Sequence, residues 1–530
     1  MFIVFKRRIP IYIYKLFLLI FLLMLTNIMF SQEPDLGTEA QREAGKKVYL
    51  EKCSQCHGEK GDGNGIAKPF LRPAPRDFTS GIFKFRSTAS GELPTDEDLK
   101  RSIRNGMPYT AMPAWSNLTD EEVTDLVYFI KTLNDYFSGP YGVVESIRIP
   151  KPPSFSNESA ERGRQVYLDN QCFDCHGNLG RGNGKSAPTL KDQWGYPIRP
   201  ADLTKRWTFR NGPSREDIFR TFTTGLDGSP MPSYSIKPEN QWALVDYVYS
   251  LSRDDPNYAT MIIASSTQKE IDLSLGKSIF PEGEGALFPV VGQVIEPGRD
   301  FHPGVNAIEV KAIHNSDEIA IMLSWHDMTA EKTGANGPAL KVPKTDAELL
   351  KSDSIYSGRF SDAVAVQFPS KMPEGQKKPY FLFGDKSNPV DIWLADLAKN
   401  NPECFIGHGE ENIETADKNI SMVSNYEEGQ WTVIFKRKRV SEDGLTFEEG
   451  KFIPIAFSVW DGFNNERGNK RGVTSWYYLY VEPRKTQSAA IPMAKYGILT
   501  LLVELALIFY IQRKHNRKEI PTVAEKNWLS

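Results

Sequence analysis

Two pentapeptides hold most of the chemistry legible in this 530-residue chain. Cys53-Ser54-Gln55-Cys56-His57 and Cys172-Phe173-Asp174-Cys175-His176 both read C-x-x-C-H, the attachment signature of c-type haem. Two thiols three positions apart reach the two vinyl groups of one porphyrin, and the histidine that follows is then directed at the iron. A single copy could arise by chance or as a zinc half-site; two in an exported chain are hard to read otherwise. Four of the five cysteines are thereby committed, and Cys404 is left as a free thiol.

An iron held by histidine on one side needs a second axial ligand. Each motif is followed by a Met-Pro pair, Met112-Pro113 and Met231-Pro232, with each methionine 55 residues beyond its histidine. The motifs lie 119 residues apart, and the same offset relates Gly58 to Gly177, Gly61 to Gly180, Asn64 to Asn183, Pro69 to Pro188 and Gly106 to Gly225. A whole domain is duplicated. Met107-Pro108 competes with Met112 in the first copy, but its counterpart in the second is Leu226, which cannot ligate. The expected sites are therefore two covalent haem c groups, one on Cys53 and Cys56 with His57 and Met112 as axial ligands. The other is on Cys172 and Cys175 with His176 and Met231. Thioether ligation opposite histidine raises the iron potential and suits electron transfer. With both axial positions filled, neither iron is open to oxygen or peroxide, so the expectation is an electron carrier rather than an enzyme with its own active site.

Helical periodicity frames both sites. Amphipathic stretches at 43–50 and 161–168 lead into the motifs, and helices at 123–133 and 242–251 follow the methionines behind acidic start signals. The glycine runs at 61–65 and 180–184 read as loops passing close to the porphyrin edge. Arg86 and Arg210, in matching Phe-Arg phrases, are candidates to pair with haem propionates, with plain surface arginines as the alternative. The region 40–255 resembles the class I c-type cytochromes on both copies of its motif. This resemblance implies two all-α electron-carrier domains, 40–137 and 160–255, joined by a proline-rich linker at 138–159.

Beyond about residue 270 the pattern changes to short strands at 308–313, 319–325, 363–368, 390–394, 431–435, 453–459 and 476–481, rich in Val, Ile, Phe, Trp and Tyr. They suggest an antiparallel β-sandwich over 270–485. The phrases AVAVQFP (363–369), PYFLFGD (379–385), PVDIW (389–393), FSVWDG (457–462) and SWYYL (475–479) resemble the haem-binding domain of ethylbenzene dehydrogenase and dimethylsulfoxide-reductase-type gamma subunits. The resemblance implies one b-type haem between a methionine and a lysine, serving a molybdenum and iron–sulfur oxidoreductase. This chain departs from that pattern at the methionine, where Phe383 stands, and places Lys470 beside Arg471 at the lysine. Arginine cannot ligate, so a haem b here needs Lys470, with Met322 or Met328 in place of the missing methionine. The alternative is a haem-free docking or adaptor module for a respiratory complex. His302, His314, His326 and His408 lack ligand-like spacing, and the basic run at 436–439 reads as a charged edge strand that discourages aggregation or docks a partner.

The two ends set the compartment. Lys6, Arg7 and Arg8 precede an apolar run at 16–25, the form of an export signal cut near Ser31 or kept as an anchor within 1–31. Residues 491–511 are apolar apart from Lys495 and Glu504, long enough to span a hydrocarbon core about 30 Å thick. The basic tail at 512–530 then belongs in the cytoplasm and the rest of the chain in the periplasm or outside the cell. The formal net charge of −3 hides this partition, because 1–31 carries four positive charges and 512–530 a net +3, leaving −10 for the body. A mean hydropathy of −0.41 excludes a polytopic membrane protein, and the acidic body excludes nucleic acid as a partner and suits solubility or docking to a basic redox protein.

Overall fold

In the computed structural model, which describes residues 33–516 other than 253–254, 344–347, 349–359, 374–376, 441–444 and 485–489, one side-chain device starts half of the α-helices in two repeated units of four each. In the first unit these are α1 (Glu39–Lys52), α2 (Ser54–His57), α3 (Asp96–Asn105) and α4 (Asp120–Lys131). The second repeats them as α5 (Asn157–Asp169), α6 (Phe173–His176), α7 (Arg215–Thr224) and α8 (Pro238–Ser250). Thr38, Thr95, Thr119 and Ser214 each cap a helix reciprocally with the side chain three residues on, satisfying orphan backbone donors at both positions. Helices α3 and α7 were absent from the sequence expectation. The Thr95/Asp98 and Ser214/Asp217 pairs were their available start signals.

In both units the leading helix packs on the trailing one, α1 on α4 and α5 on α8. They cross at glycine. A Cβ on Gly45 would sit 1.9 Å from the Asp125 carbonyl oxygen, and one on Gly163 would sit 1.8 Å from that of Ala243. Side-chain-free crossings let the aromatic layer close beside them, with Tyr49 against Phe129 at 5.1 Å and Tyr167 against Tyr247 at 5.2 Å between ring centroids. Each such ring contributes about 1.5–3 kcal/mol by leaving water.

Fourteen strands make up the third domain among the described residues. Its main path runs Ile420–Glu427, Gln430–Lys438, Glu318–His326, Ala307–His314, Met261–Ser266, Tyr477–Val481, Phe452–Trp460, Ala363–Pro369, Val390–Asp396, Glu403–Gly407, Ile413–Ala416. All seven expected strands are present. The pairing differs from the expectation in one respect: Met261–Ser266 runs parallel to both its neighbours, so the domain is mixed rather than wholly antiparallel. Strand Phe452–Trp460 joins the halves, its first four residues paired with Tyr477–Val481 and its last five with Ala363–Pro369. Strands distant along the path share one core, as Trp393 packs on Phe435 with centroids 6.2 Å apart.

The basic run at 436–439 is not an edge. Its strand lies between two partners, and Arg437 and Arg439 are buried. Arg437 stacks over Trp393 and Phe447 while donating to the Leu445 carbonyl. Lys436 pairs with Glu318 at 3.1 Å. Apart from Lys438, which is exposed, the charges are consumed internally by neighbours that only the folded sheet supplies.

The last helix, α9 (Ala490–Asn516), has 27 residues, about 40 Å at 1.5 Å per residue. None of its apolar length is buried against the rest of the protein, which fits membrane anchoring. The export signal and the tail beyond 516 lie outside the described residues.

Candidate functional site

Each C-x-x-C-H motif folds as one helical turn continuing from the leading helix. The His57 amide donates to the Cys53 carbonyl at 3.0 Å and the His176 amide to that of Cys172 at 2.9 Å, closing each motif into a single turn. Burial pushes the Cys53 and Cys172 thiols up to about 11.

The imidazoles are oriented by backbone. His57 Nδ1 donates to the Arg76 carbonyl at 3.0 Å, and His176 Nδ1 donates to the Ala201 carbonyl at 2.9 Å. A carbonyl can only accept, so the proton sits on Nδ1 and the Nε2 lone pair is left bare, the form that ligates a metal. Burial lowers both imidazole pKa values and keeps the rings neutral.

Downstream of each motif, the methionine loops have one shape. The Met107 amide donates to the Met112 carbonyl and the Leu226 amide to the Met231 carbonyl, each at 3.0 Å. The Thr110 and Ser229 hydroxyls bridge each loop to its own backbone. Gly106 and Gly225, with φ of +61° and +69°, turn the chain out of the preceding helix into the loop. Met112 and Met231 thus occupy equivalent places, and Met107 occupies that of Leu226.

The glycines of 61–65 and 180–184 pass close to the motif helices: a Cβ on Gly65 would lie 2.2 Å from the Gln55 carbonyl, and one on Gly184 2.3 Å from that of Asp174. One expectation about the surroundings changes. Arg86 is fully buried and occupied, donating to the Phe83, Ala89 and Thr224 carbonyls and pairing with Asp227 at 2.8 Å. It ties the two repeats together. Sequence reasoning missed two further basic groups. Arg76 and Lys84 converge with the expected Arg210 near the junction, where burial and the two guanidinium charges push Lys84 down to about 8. Arg76 Nη1 is buried without a hydrogen-bond partner. Arg210 also lines a cavity of 310 Å³ between the units, with Phe85, Arg101, Met107 and Trp207.

The sheet domain contacts both repeats. His302 Nε2 donates to the Phe70 carbonyl at 2.6 Å, and His326 bonds Asp202, next to the carbonyl that orients His176. Arg199 pairs with Asp461 across the same junction. His314 is buried against the Glu482 carbonyl, and Cys404 is buried in its strand. Lys470 is buried, and its amine donates to the Asn464 carbonyl at 2.8 Å. Phe383 has no exposed surface, and the Arg471 guanidinium lies 3.8 Å from its ring centroid while pairing with Glu410 at 2.8 Å. Met322 packs with Ile271, Phe280, Ile313 and Ile434 in a separate apolar cluster. These residues do not fit a haem held between position 383 and Lys470.

Comparison with known proteins follows this division. A family model described as cytochrome c oxidase, cbb3-type, subunit III matches residues 40–130, a cytochrome c model matches 160–252, and an ethylbenzene dehydrogenase model matches 277–414. A Haloferax mediterranei protein described as "Putative respiratory nitrate reductase heme subunit ORF7" is 24% identical over 181 residues, 34% of this chain and 57% of its own length. The chlorate reductase subunit gamma of Ideonella dechloratans is 27% identical over 184 residues, 32% of this chain and 64% of its own length. The chain thus spans less than two thirds of these curated relatives. A solved chain of the reducing HAO-like protein complex of Kuenenia stuttgartiensis is 39% identical, covered over 100% of its length by 42% of this chain, with a TM-score of 0.39. The matches support covalent haem c, and they identify the chain as two cytochrome c domains followed by a domain of the ethylbenzene dehydrogenase family.

Proposed function

We propose that the protein is a membrane-anchored electron-transfer subunit with two covalent haem c groups. In this reading it is a subunit or partner of a molybdenum oxidoreductase of the dimethylsulfoxide reductase type. Supporting it above all is the geometry repeated in both units, an imidazole fixed by a backbone carbonyl with Nε2 bare and a methionine loop of one shape downstream. The relatives named as haem and gamma subunits of nitrate and chlorate reductases support the assignment to an oxidoreductase complex.

Bound haem would supply a reversible one-electron couple with no open coordination position. Cys53, Cys56, Cys172 and Cys175 would attach the two groups, and His57 with Met112 and His176 with Met231 would ligate the irons. Arg76, Lys84 and Arg210 offer the positive charge and the orphaned donor that propionates require. The sheet domain, folded over as a sandwich, acts as a docking module without haem, a reading supported by the Phe383–Arg471 contact and the engaged Lys470 amine. Helix α9 anchors the protein with its body on the periplasmic or outer face and the basic tail in the cytoplasm.

Haem counting on the purified full chain tests this. Two haem c per chain are expected, falling to one when Cys53 and Cys56 are replaced by alanine. Met112→Ala should abolish the methionine-to-ferric-iron absorption band of one haem and Met107→Ala should leave both bands. A single haem in the native chain, or loss of a band in Met107→Ala, overturns the ligand assignment. Haem released by acidified acetone overturns the haem-free sheet domain.

A further inference from the structure

The sheet domain holds a side-chain cluster that the electron-transfer reading does not use. Asp327, Glu331, Asp362 and Asp461 each place a carboxylate oxygen within 4.8 Å of the others. Asp327 is 3% exposed, and Asp362 and Asp461 are fully buried. Most of their oxygens are engaged. Asp362 accepts from the Glu331 and Gly462 amides and the Trp431 indole at 2.8–2.9 Å. Asp461 accepts from the Asn464 amide and from Arg199, and Glu331 Oε1 accepts from the Thr329 hydroxyl. Asp327 is the exception: neither of its carboxylate oxygens has a hydrogen-bond partner, and Glu331 Oε2 has none either.

A buried carboxylate with no donor at either oxygen is costly, and like charges this close do not all ionise without a counter-charge. Arg199, reaching in from the second cytochrome domain, is an ion-pair partner of Asp461. One guanidinium against four carboxyl groups leaves the cluster short of positive charge. We propose that Asp327, Glu331, Asp362 and Asp461 form a calcium-class divalent cation site that fastens the sheet domain to the second cytochrome domain through Asp461. The donor set is all oxygen, which excludes the ligands preferred by zinc and copper. Calcium–oxygen distances of about 2.3–2.6 Å place ligands on opposite sides of the ion about 4.6–5.2 Å apart, so oxygens that all lie within 4.8 Å of one another can share one such ion. Magnesium, at about 2.0–2.1 Å and reluctant to shed water, suits a tighter and wetter site.

The test uses the full chain in detergent, stripped with chelator and then titrated with calcium chloride or magnesium chloride. Elemental analysis and calorimetry should show one calcium per chain, no matching magnesium binding, and a higher thermal midpoint with calcium. Asp327→Asn should weaken calcium binding roughly tenfold or more by removing a ligand charge. Glu331→Gln, at a partly exposed position, should do the same and provides the reading where Asp327→Asn does not fold. No calcium bound by the native chain at millimolar concentration, a preference for magnesium, or native affinity in either folded variant overturns the site.

Discussion

Replacing Gly163 with alanine separates two physical arguments by the sign of the outcome. Helix propensity alone favours alanine over glycine by about 0.8–1.0 kcal/mol in a helix interior, so an isolated α5 would be stabilised. In the folded unit the new Cβ would lie 1.8 Å from the Ala243 carbonyl oxygen of α8. Relief requires the two helices to part by roughly 1 Å, since real Cβ contacts essentially never fall below 3.0 Å. Overpacking costs about 1–3 kcal/mol. The upper end applies, because the obstacle is helix backbone rather than the tip of a flexible side chain. Subtracting the propensity gain leaves about 2 kcal/mol of net destabilisation. Hydrogen exchange read by mass spectrometry on peptides from α5 and α8 should then speed up about thirtyfold, at about 1.4 kcal/mol per tenfold. Peptides from α1 and α4 serve as an internal control, and Gly45→Ala should reverse the pattern because its Cβ would meet the Asp125 carbonyl at 1.9 Å. Exchange in Gly163→Ala at or below the native rate would refute the reasoning and show that the crossing has room.

Arg86→Met should lower stability by about 2–3 kcal/mol in chemical denaturation. This is less than the 3–5 typical of a broken buried pair, because Asp227 is 21% exposed and keeps the Ser90 hydroxyl and Gly91 amide as donors; an unchanged midpoint would show that the pair does not hold the repeats together. Burial pushes His302 down to about 4 from an ordinary 6.5, so the unfolded chain binds this proton more readily than the folded one. Its contribution to stability is complete above about 6.5 and is lost as pH falls toward 4. The pH dependence of the thermal midpoint should flatten over that window in His302→Gln, and an identical profile would remove His302 as a cause.

Much of the candidate site was legible because it is written contiguously. The C-x-x-C-H motifs need only one helical turn to bring two sulfurs and an imidazole together, and the methionine loops keep their 55-residue spacing through duplication. The orienting carbonyls were hidden for two reasons. They are backbone atoms, which residue type does not reveal. The equivalent stretches also run 125 residues apart, from Pro75-Arg76-Asp77 to Pro200-Ala201-Asp202, against 119 for the C-x-x-C-H motifs and the methionine loops. The second copy carries extra residues closed by the Lys191–Pro197 bridge. Arg86 matched Arg210 by its neighbours in sequence, yet one lies in an ion pair between the repeats and the other beside a cavity.

What the sequence by itself determined was the kind of chemistry and its multiplicity: two thiol pairs with adjacent imidazoles, two methionines in register, a strand-rich third region and an apolar segment near the end. These follow from spacing along one chain, where periodicity and short motifs act over a few residues. Tertiary structure alone decided which charges are spent. Lys436, Arg437 and Arg439 look like a free basic edge until the sheet buries the two arginines and pairs the lysine. Asp327, Glu331, Asp362 and Asp461 are ordinary acids scattered over 135 residues until folding brings them within 4.8 Å. The physical reason is that burial and Coulomb energy depend on distance through space, which separation along the chain does not specify.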